Sequence, residues 1–275
     1  MKSSIISTAL ALCAVGMSAA NTKDITFTSP NGNLNIYISL KSATPQYTVY
    51  EGEIKDRNVY ALDNAMALEF EGMGKDSYTI SAPKRIKEHF EAPLYKTVSF
   101  SDEYNQVILK SKNGVNIEFR AYNSGVAYRF FTSSSKKEWT IKNEIATFNF
   151  ADDKVAYLPY STNPKNPKAM AFQATYDAVN LTNLKELEAF LPATVDCGKA
   201  KVTILETDVE DYPGMYLLPY KEKSSMIRIG GQSTPGLKGE FAKKPKTFDY
   251  YPWRKQKYVT STEDCIARGK GSRTF

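Results

Sequence analysis

Short runs in which apolar and polar residues alternate make up most of this chain. The clearest set lies near the middle. Val107 to Lys112, Val115 to Ala121 and Val126 to Phe131 are separated by Asn113-Gly114 and by Asn123-Ser124-Gly125. Asn and Gly tolerate φ > 0, so Asn-Gly suits the tight turns that join antiparallel strands. In the middle run Val115, Ile117 and Phe119 share one face, while Asn116, Glu118 and Arg120 share the other. This period of two predicts a strand with one buried face. Near the start, Ile25-Thr26-Phe27, the turn Ser29-Pro30-Asn31-Gly32 and the alternating run Leu34 to Leu40 read the same way. Further strands are predicted at Val49 to Glu51, Ala67 to Phe70, Tyr78 to Ser81, Thr97 to Phe100, Thr147 to Phe150, Val202 to Leu205 and Ile227 to Ile229. A 3.6-residue period is suggested only at Leu181 to Phe190, a short helix with Thr182 as its cap. Many short strands punctuated by Gly, Asn and Pro predict an all-β sandwich. There is no repeat of fixed period, and Ser161 to Lys168 reads as a polar loop rather than a domain boundary.

The first twenty residues follow a different logic. Lys2 is followed by Ile5 to Val15, apolar apart from Ser7 and Thr8, and then by Ser18-Ala19-Ala20. That order predicts a secretory signal peptide over residues 1–20, too short for a membrane span, and an exported, periplasmic protein. Cys13 after Leu10-Ala11-Leu12 leaves a lipoprotein as an alternative destination, with extracellular release another. No other segment is long and apolar enough to cross a membrane. Residues 21–275 are then expected to form one large unit.

Composition narrows the chemistry. The chain carries 36 basic and 30 acidic residues, a formal charge of +6, with no block of five like charges. This mild, scattered excess supports solubility and argues against nucleic acid as a partner. Cys197 and Cys265 remain after the signal peptide and could pair in an oxidising compartment. Two Cys and one His without a Cys-x-x-Cys spacing argue against a zinc site. His89 sits among charges, with no Ser or Cys motif to serve, so it reads as an exposed non-catalytic residue. Gly230-Gly231-Gln232 lacks the Lys and the strand–helix setting of a phosphate loop.

One segment carries concentrated charge. Lys201 to Leu205 reads as a strand and runs into Glu206, Asp208, Glu210 and Asp211. If the strand persists, Ile204, Glu206, Asp208 and Glu210 lie on one side, with Ile204 in the core and Glu206 where that face meets the surface. From the residues alone, these acids either solvate a strand end or offer a metal ligand; Asp211 reads as a cap for the turn at Pro213-Gly214. The run Phe248-Asp249-Tyr250-Tyr251-Pro252-Trp253-Arg254 either packs at a domain seam or presents rings to a sugar.

Several stretches resemble the N-terminal domain of glycoside hydrolase family 97. They are Ser29-Pro30-Asn31-Gly32, Phe119-Arg120-Ala121-Tyr122-Asn123-Ser124-Gly125-Val126-Ala127-Tyr128-Arg129-Phe130, Phe148-Asn149-Phe150, Glu206 with Asp211-Tyr212-Pro213-Gly214-Met215, Asp264 to Arg268 and Gly271 to Phe275. The resemblance implies a β-super-sandwich that precedes a catalytic (β/α)8 barrel, with residues 21–275 ending where the barrel would begin. The catalytic carboxylates would then lie outside this chain, which is expected to be inactive alone, as a fragment or a truncated product. The implied activity is that of an α-glucosidase or α-galactosidase acting on α-linked glucose or galactose oligosaccharides. Glu206 is implied as a ligand to Ca²⁺ shared with glutamates of the barrel. The alternative is a stand-alone sandwich that binds a carbohydrate or a protein without catalysis.

Overall fold

A computed structural model describes residues 24–53, 58–70, 72–94, 96–132, 141–162, 175–207, 215–220, 227–233 and 253–259. Alternation has folded them into two antiparallel sheets. The smaller sheet runs in the order β1 (Asp24–Thr28), β2 (Leu34–Ser39), β3 (Gln46–Glu51), β4 (Val59–Phe70), β10 (Ile141–Phe150), β16 (Ile227–Ser233) and β15 (Met215–Tyr220). The larger runs β12 (Asp177–Asn180), β11 (Val155–Leu158), β13 (Ala193–Asp196), β14 (Lys201–Thr207), β17 (Trp253–Val259), β9 (Gly125–Thr132), β8 (Val115–Tyr122), β7 (Ser99–Ser111) and β5 (Tyr78–Ile80). A further strand, β6 (Lys84–Glu91), pairs with the first half of β7. The sandwich expected from the sequence is therefore the observed architecture.

The two inner faces meet in one core. Ile36, Ile38, Val49, Phe148 and Phe150 come from the smaller sheet, and Val107, Ile117, Phe119, Tyr128 and Ile204 from the larger. Tyr47 of β3 crosses the gap, its ring 5.7 Å from that of Phe119 and 5.8 Å from that of Tyr128. Tilted and edge-on pairs of this kind contribute about 0.5–1.5 kcal/mol beyond the area they bury. Truncating Phe119, fully buried, to Ala is the single change here best suited to break the core, at about 3–5 kcal/mol.

Turn chemistry sets the register. Gly32 (φ 77°) and Gly114 (φ 89°) take the left-handed conformation that the two Asn-Gly turns require. The Ser29-Pro30-Asn31-Gly32 turn is tied across the sandwich, since the Asn31 N–H donates to Asn123 Oδ1 at 2.9 Å. Asn105 Nδ2 donates to the Thr28 carbonyl at 2.7 Å beside it. Two of the stretches that carry the family resemblance thus hold each other.

Two local expectations need correction. Residues 181–190 do not form a helix beyond one 3₁₀ turn at Leu181–Asn183, and Thr182 does not cap it. The Thr182 N–H and hydroxyl instead bond Asp153 at 3.1 and 3.0 Å, and Ala189 is held in an extended bridge. Leu181, Leu184 and Leu187 face the core at helical spacing, but loop hydrogen bonds determine the backbone. The second correction concerns β8, which is buried on both faces. Asn116 and Glu118, on its polar side, are each 3% exposed. Glu118 is tolerated there because it accepts from Arg120 Nε at 3.0 Å, from Arg129 Nε at 2.9 Å and from Gln106. Arg120 in turn lies over the Tyr104 ring, 4.2 Å from its centroid.

Candidate functional site

The acidic strand end is where the sequence places chemistry. β14 buries Val202 and Ile204 completely, and Glu206 continues that row as a half-buried residue. Pairing to β13 stops at Ala193↔Ile204, whereas pairing to β17 continues to Thr207↔Trp253. The Glu206 carboxylate therefore stands at a corner where one neighbouring strand has ended. Both of its oxygens accept the Met215 N–H, at 2.9 and 3.1 Å. Met215 opens β15, the edge of the smaller sheet, so this carboxylate ties the two sheets together. A carboxylate has about four acceptor directions, and the Met215 N–H occupies part of that capacity while fixing the group's orientation.

Aromatic and acidic groups surround the corner. The Tyr216 ring lies 5.1 Å from that of Phe190. Burial, followed by the negative charges of Glu188 and Glu206, pushes the Tyr216 hydroxyl above the usual tyrosine range. Two carboxylates thus direct their field at one phenol. Glu188 was not foreseen; the misread helix hid it, although its neighbour Ala189 makes the key contact. Ala189 exchanges N–H···O bonds of 2.9 and 2.8 Å with Leu217 of β15 and forms a second bridge with Tyr160 beyond β11. This loop therefore joins the larger sheet to the edge of the smaller one. A shallow apolar concavity lined by Leu158, Leu184, Leu187, Leu217 and Pro219 lies beside it.

Other sequence candidates fall as follows. Asp208, Glu210 and Asp211 lie outside the described residues, as do Cys265 and residues 248–252. Cys197 is part-buried after β13, and burial pushes its thiol up to about 12. His89 is exposed on β6, as expected. Gly230, Gly231 and Gln232 are interior to β16, which agrees with their exclusion as a phosphate loop. Among the described residues no three His, Cys, Asp or Glu side chains gather in a group able to hold a metal ion. No helix among them is long and apolar enough to cross a membrane.

Comparison with known proteins decides the family. The sequence profile described as Glycosyl-hydrolase 97 N-terminal matches residues 27–266. This chain belongs to that family. A relative at 31% identity is the retaining alpha-galactosidase of Bacteroides thetaiotaomicron, aligned over 93% of this chain and 41% of that protein. Among solved structures, a glycoside hydrolase family 97 enzyme from Pseudoalteromonas sp. strain K8, in complex with acarbose, superposes with a TM-score of 0.67 at 18% identity. The overlay covers 88% of this chain and 36% of that one. A beta-arabinopyranosidase superposes with a TM-score of 0.70 at 15% identity, over 86% and 40% of the two chains. At these identities the overlays establish the fold. The family 97 N-terminal domain seen here spans less than half the length of the relatives it matches.

Proposed function

We propose that this chain is the non-catalytic N-terminal domain of a family 97 α-glycoside hydrolase, acting on an α-glucosidic or α-galactosidic bond. Its partner is the (β/α)8 barrel of the same enzyme, for which it shapes one wall of the substrate cleft. Glu206 donates a carboxylate to a Ca²⁺ site completed by the barrel. The observation that carries this reading is the placement of Glu206. It is a half-buried carboxylate at a corner where the pairing of β13 with β14 has ended, oriented by the Met215 N–H.

The donor set fits a shared site and not a self-contained one. Calcium takes six to eight oxygen ligands. Among the described residues no group of three such ligands forms around Glu206, so in this reading the barrel supplies the rest. When bound, the cation would supply electrostatic stabilisation at the glycosidic oxygen. This chain's own task is to fix one ligand, through Met215 on one sheet and β14 on the other. Export to the periplasm through residues 1–20 belongs to the same proposal.

Titration calorimetry with Ca²⁺ tests it. The purified chain alone should bind weakly. Mixed with a separately expressed matching barrel it should bind tightly, and Glu206→Gln should abolish the gain. Absence of binding in every mixture would overturn the shared site and favour a stand-alone binding module.

A further inference from the structure

Among the described residues, the larger sheet has an unpaired edge far from the Glu206 corner. β6 pairs with β7 from Lys84↔Gln106 to Glu91↔Ser99, and with no other strand among the described residues. All of its side chains are exposed except half-buried Ile86. The Ala92 N–H donates to the Val98 carbonyl at the ribbon's tip, continuing that register. Inward-facing and outward-facing backbone groups alternate along an antiparallel strand. The Ala92 bond therefore turns the even-numbered residues of β6 toward β7. Arg85, Lys87, His89 and Glu91 direct their N–H and C=O groups outward. Such a row is a template for another strand.

Lys and Arg on an edge ordinarily repel incoming strands. Here the charges are sorted: Lys84, Arg85 and Lys87 precede Glu88 and Glu91. A second copy running antiparallel meets basic with acidic. We propose that two copies of this chain pair through β6 about a two-fold axis at Glu88. Each Arg85 then faces Glu91 of the other copy, and each Ile86 faces Phe90 of the other copy. Phe90, 38% exposed, already stacks on Phe100 at 5.3 Å, so the pairing covers the ribbon's apolar side. Centring on Lys87 instead would set Lys87 against Lys87 and Arg85 against His89. Centring on His89 would leave Arg85 opposite Pro93. The chosen register sets Glu88 against Glu88 and each Lys87 against His89 of the other copy, offset by two opposite-charge pairs and two apolar ones.

Register also separates this edge from the candidate metal ligand. Glu206, Arg254, Tyr128, Phe119 and Val107 lie on one line across the sheet. From that line β14 ends one residue later, at Thr207, while the ribbon runs the opposite way along β7 to Phe100, about 23 Å at roughly 3.3 Å per residue. Pairing through β6 is therefore compatible with a barrel docked at Glu206, and it does not depend on the function proposed above.

Sedimentation velocity of the full chain over a concentration series tests the pairing. A concentration-dependent dimer is expected. Arg85→Glu should weaken it at least about tenfold, and Arg85→Glu with Glu91→Arg should restore it. Glu88→Gln should tighten it several-fold by removing the like-charge contact. Arg85 also bonds Glu103, at 2.7 Å, so Phe90→Lys provides a second disruption that leaves this pair intact, with circular dichroism confirming the fold. A monomer up to high micromolar concentration overturns the proposal. So does a dimer indifferent to Arg85→Glu and Phe90→Lys, or a charge swap that fails to restore association.

Discussion

Replacing Glu118 with Gln should destabilise the sandwich in a way that fades in acid. The Glu118 side chain is 4% exposed, between Arg120 at 17% and Arg129 at 22%. Removing one partner of a fully buried ion pair costs about 3–5 kcal/mol, because the remaining charge stays desolvated. The two arginines are partly wetted here and Gln preserves shape, so the cost should be about 2–3 kcal/mol. For a domain of this size that corresponds to a fall of about 4–12 °C in Tm. Burial alone would raise the Glu118 carboxyl. The Arg120 and Arg129 charges and the hydrogen bonds from Arg120 and Gln106 outweigh burial and hold it below the ordinary value of 4.5. A carboxyl depressed in the fold stabilises fully above its unfolded value and loses that contribution as pH falls through its folded value. Urea unfolding of both proteins should therefore show a constant gap at neutral pH that closes below about pH 4.5. A gap under about 0.5 kcal/mol, or one unchanged in acid, would refute the claim that this charge holds the outer face together.

Three further outcomes are expected. Glu206→Ala should cost about 1–3 kcal/mol in urea unfolding, because it strips the acceptor from the buried Met215 N–H, whereas Glu206→Gln retains one and should cost less. Asn123→Ala should cost about 0.5–1.5 kcal/mol by releasing the Asn31 turn, an effect that thermal melting can resolve. With Cys13 and Cys265 replaced by Ser, Cys197 should resist maleimide at pH 8 until denaturant is added, since burial holds its thiol up to about 12.

Much of this fold was legible where one face is buried and a turn residue marks the end. The β7–β8–β9 meander follows from Val115, Ile117 and Phe119 alternating between two Asn- and Gly-containing turns. The ribbon strand β6 was invisible because Lys84 to Glu91 is exposed apart from half-buried Ile86, so charged residues fall on both faces and no alternation records it. β12 and β13 are four residues each, too short for a period to emerge. Leu181, Leu184 and Leu187 mimicked a helix because a loop laid along a core can space its anchors by three. At the corner, alternation correctly placed Glu206 at the end of the Ile204 row. Its bond to Met215 was not readable, because the partners are nine residues apart in sequence but belong to different sheets. Nor could period alone show that Glu118 lies buried, since a satisfied carboxylate and a solvated one leave the same mark in a sequence.

The bridge at Ala189 has a consequence for tolerance. One side chain of minimal volume, 1% exposed, sits in the seam where Tyr160 and Leu217 are bridged. The Glu206 carboxylate is held by atoms from both sheets, so its position follows the spacing of that seam. A bulkier residue at 189 would splay the seam and turn the Glu206 carboxylate without altering any polar group. The aim of a carboxylate can thus drift through residues with no polar chemistry, much as a hinge pin sets the alignment of a latch some distance away.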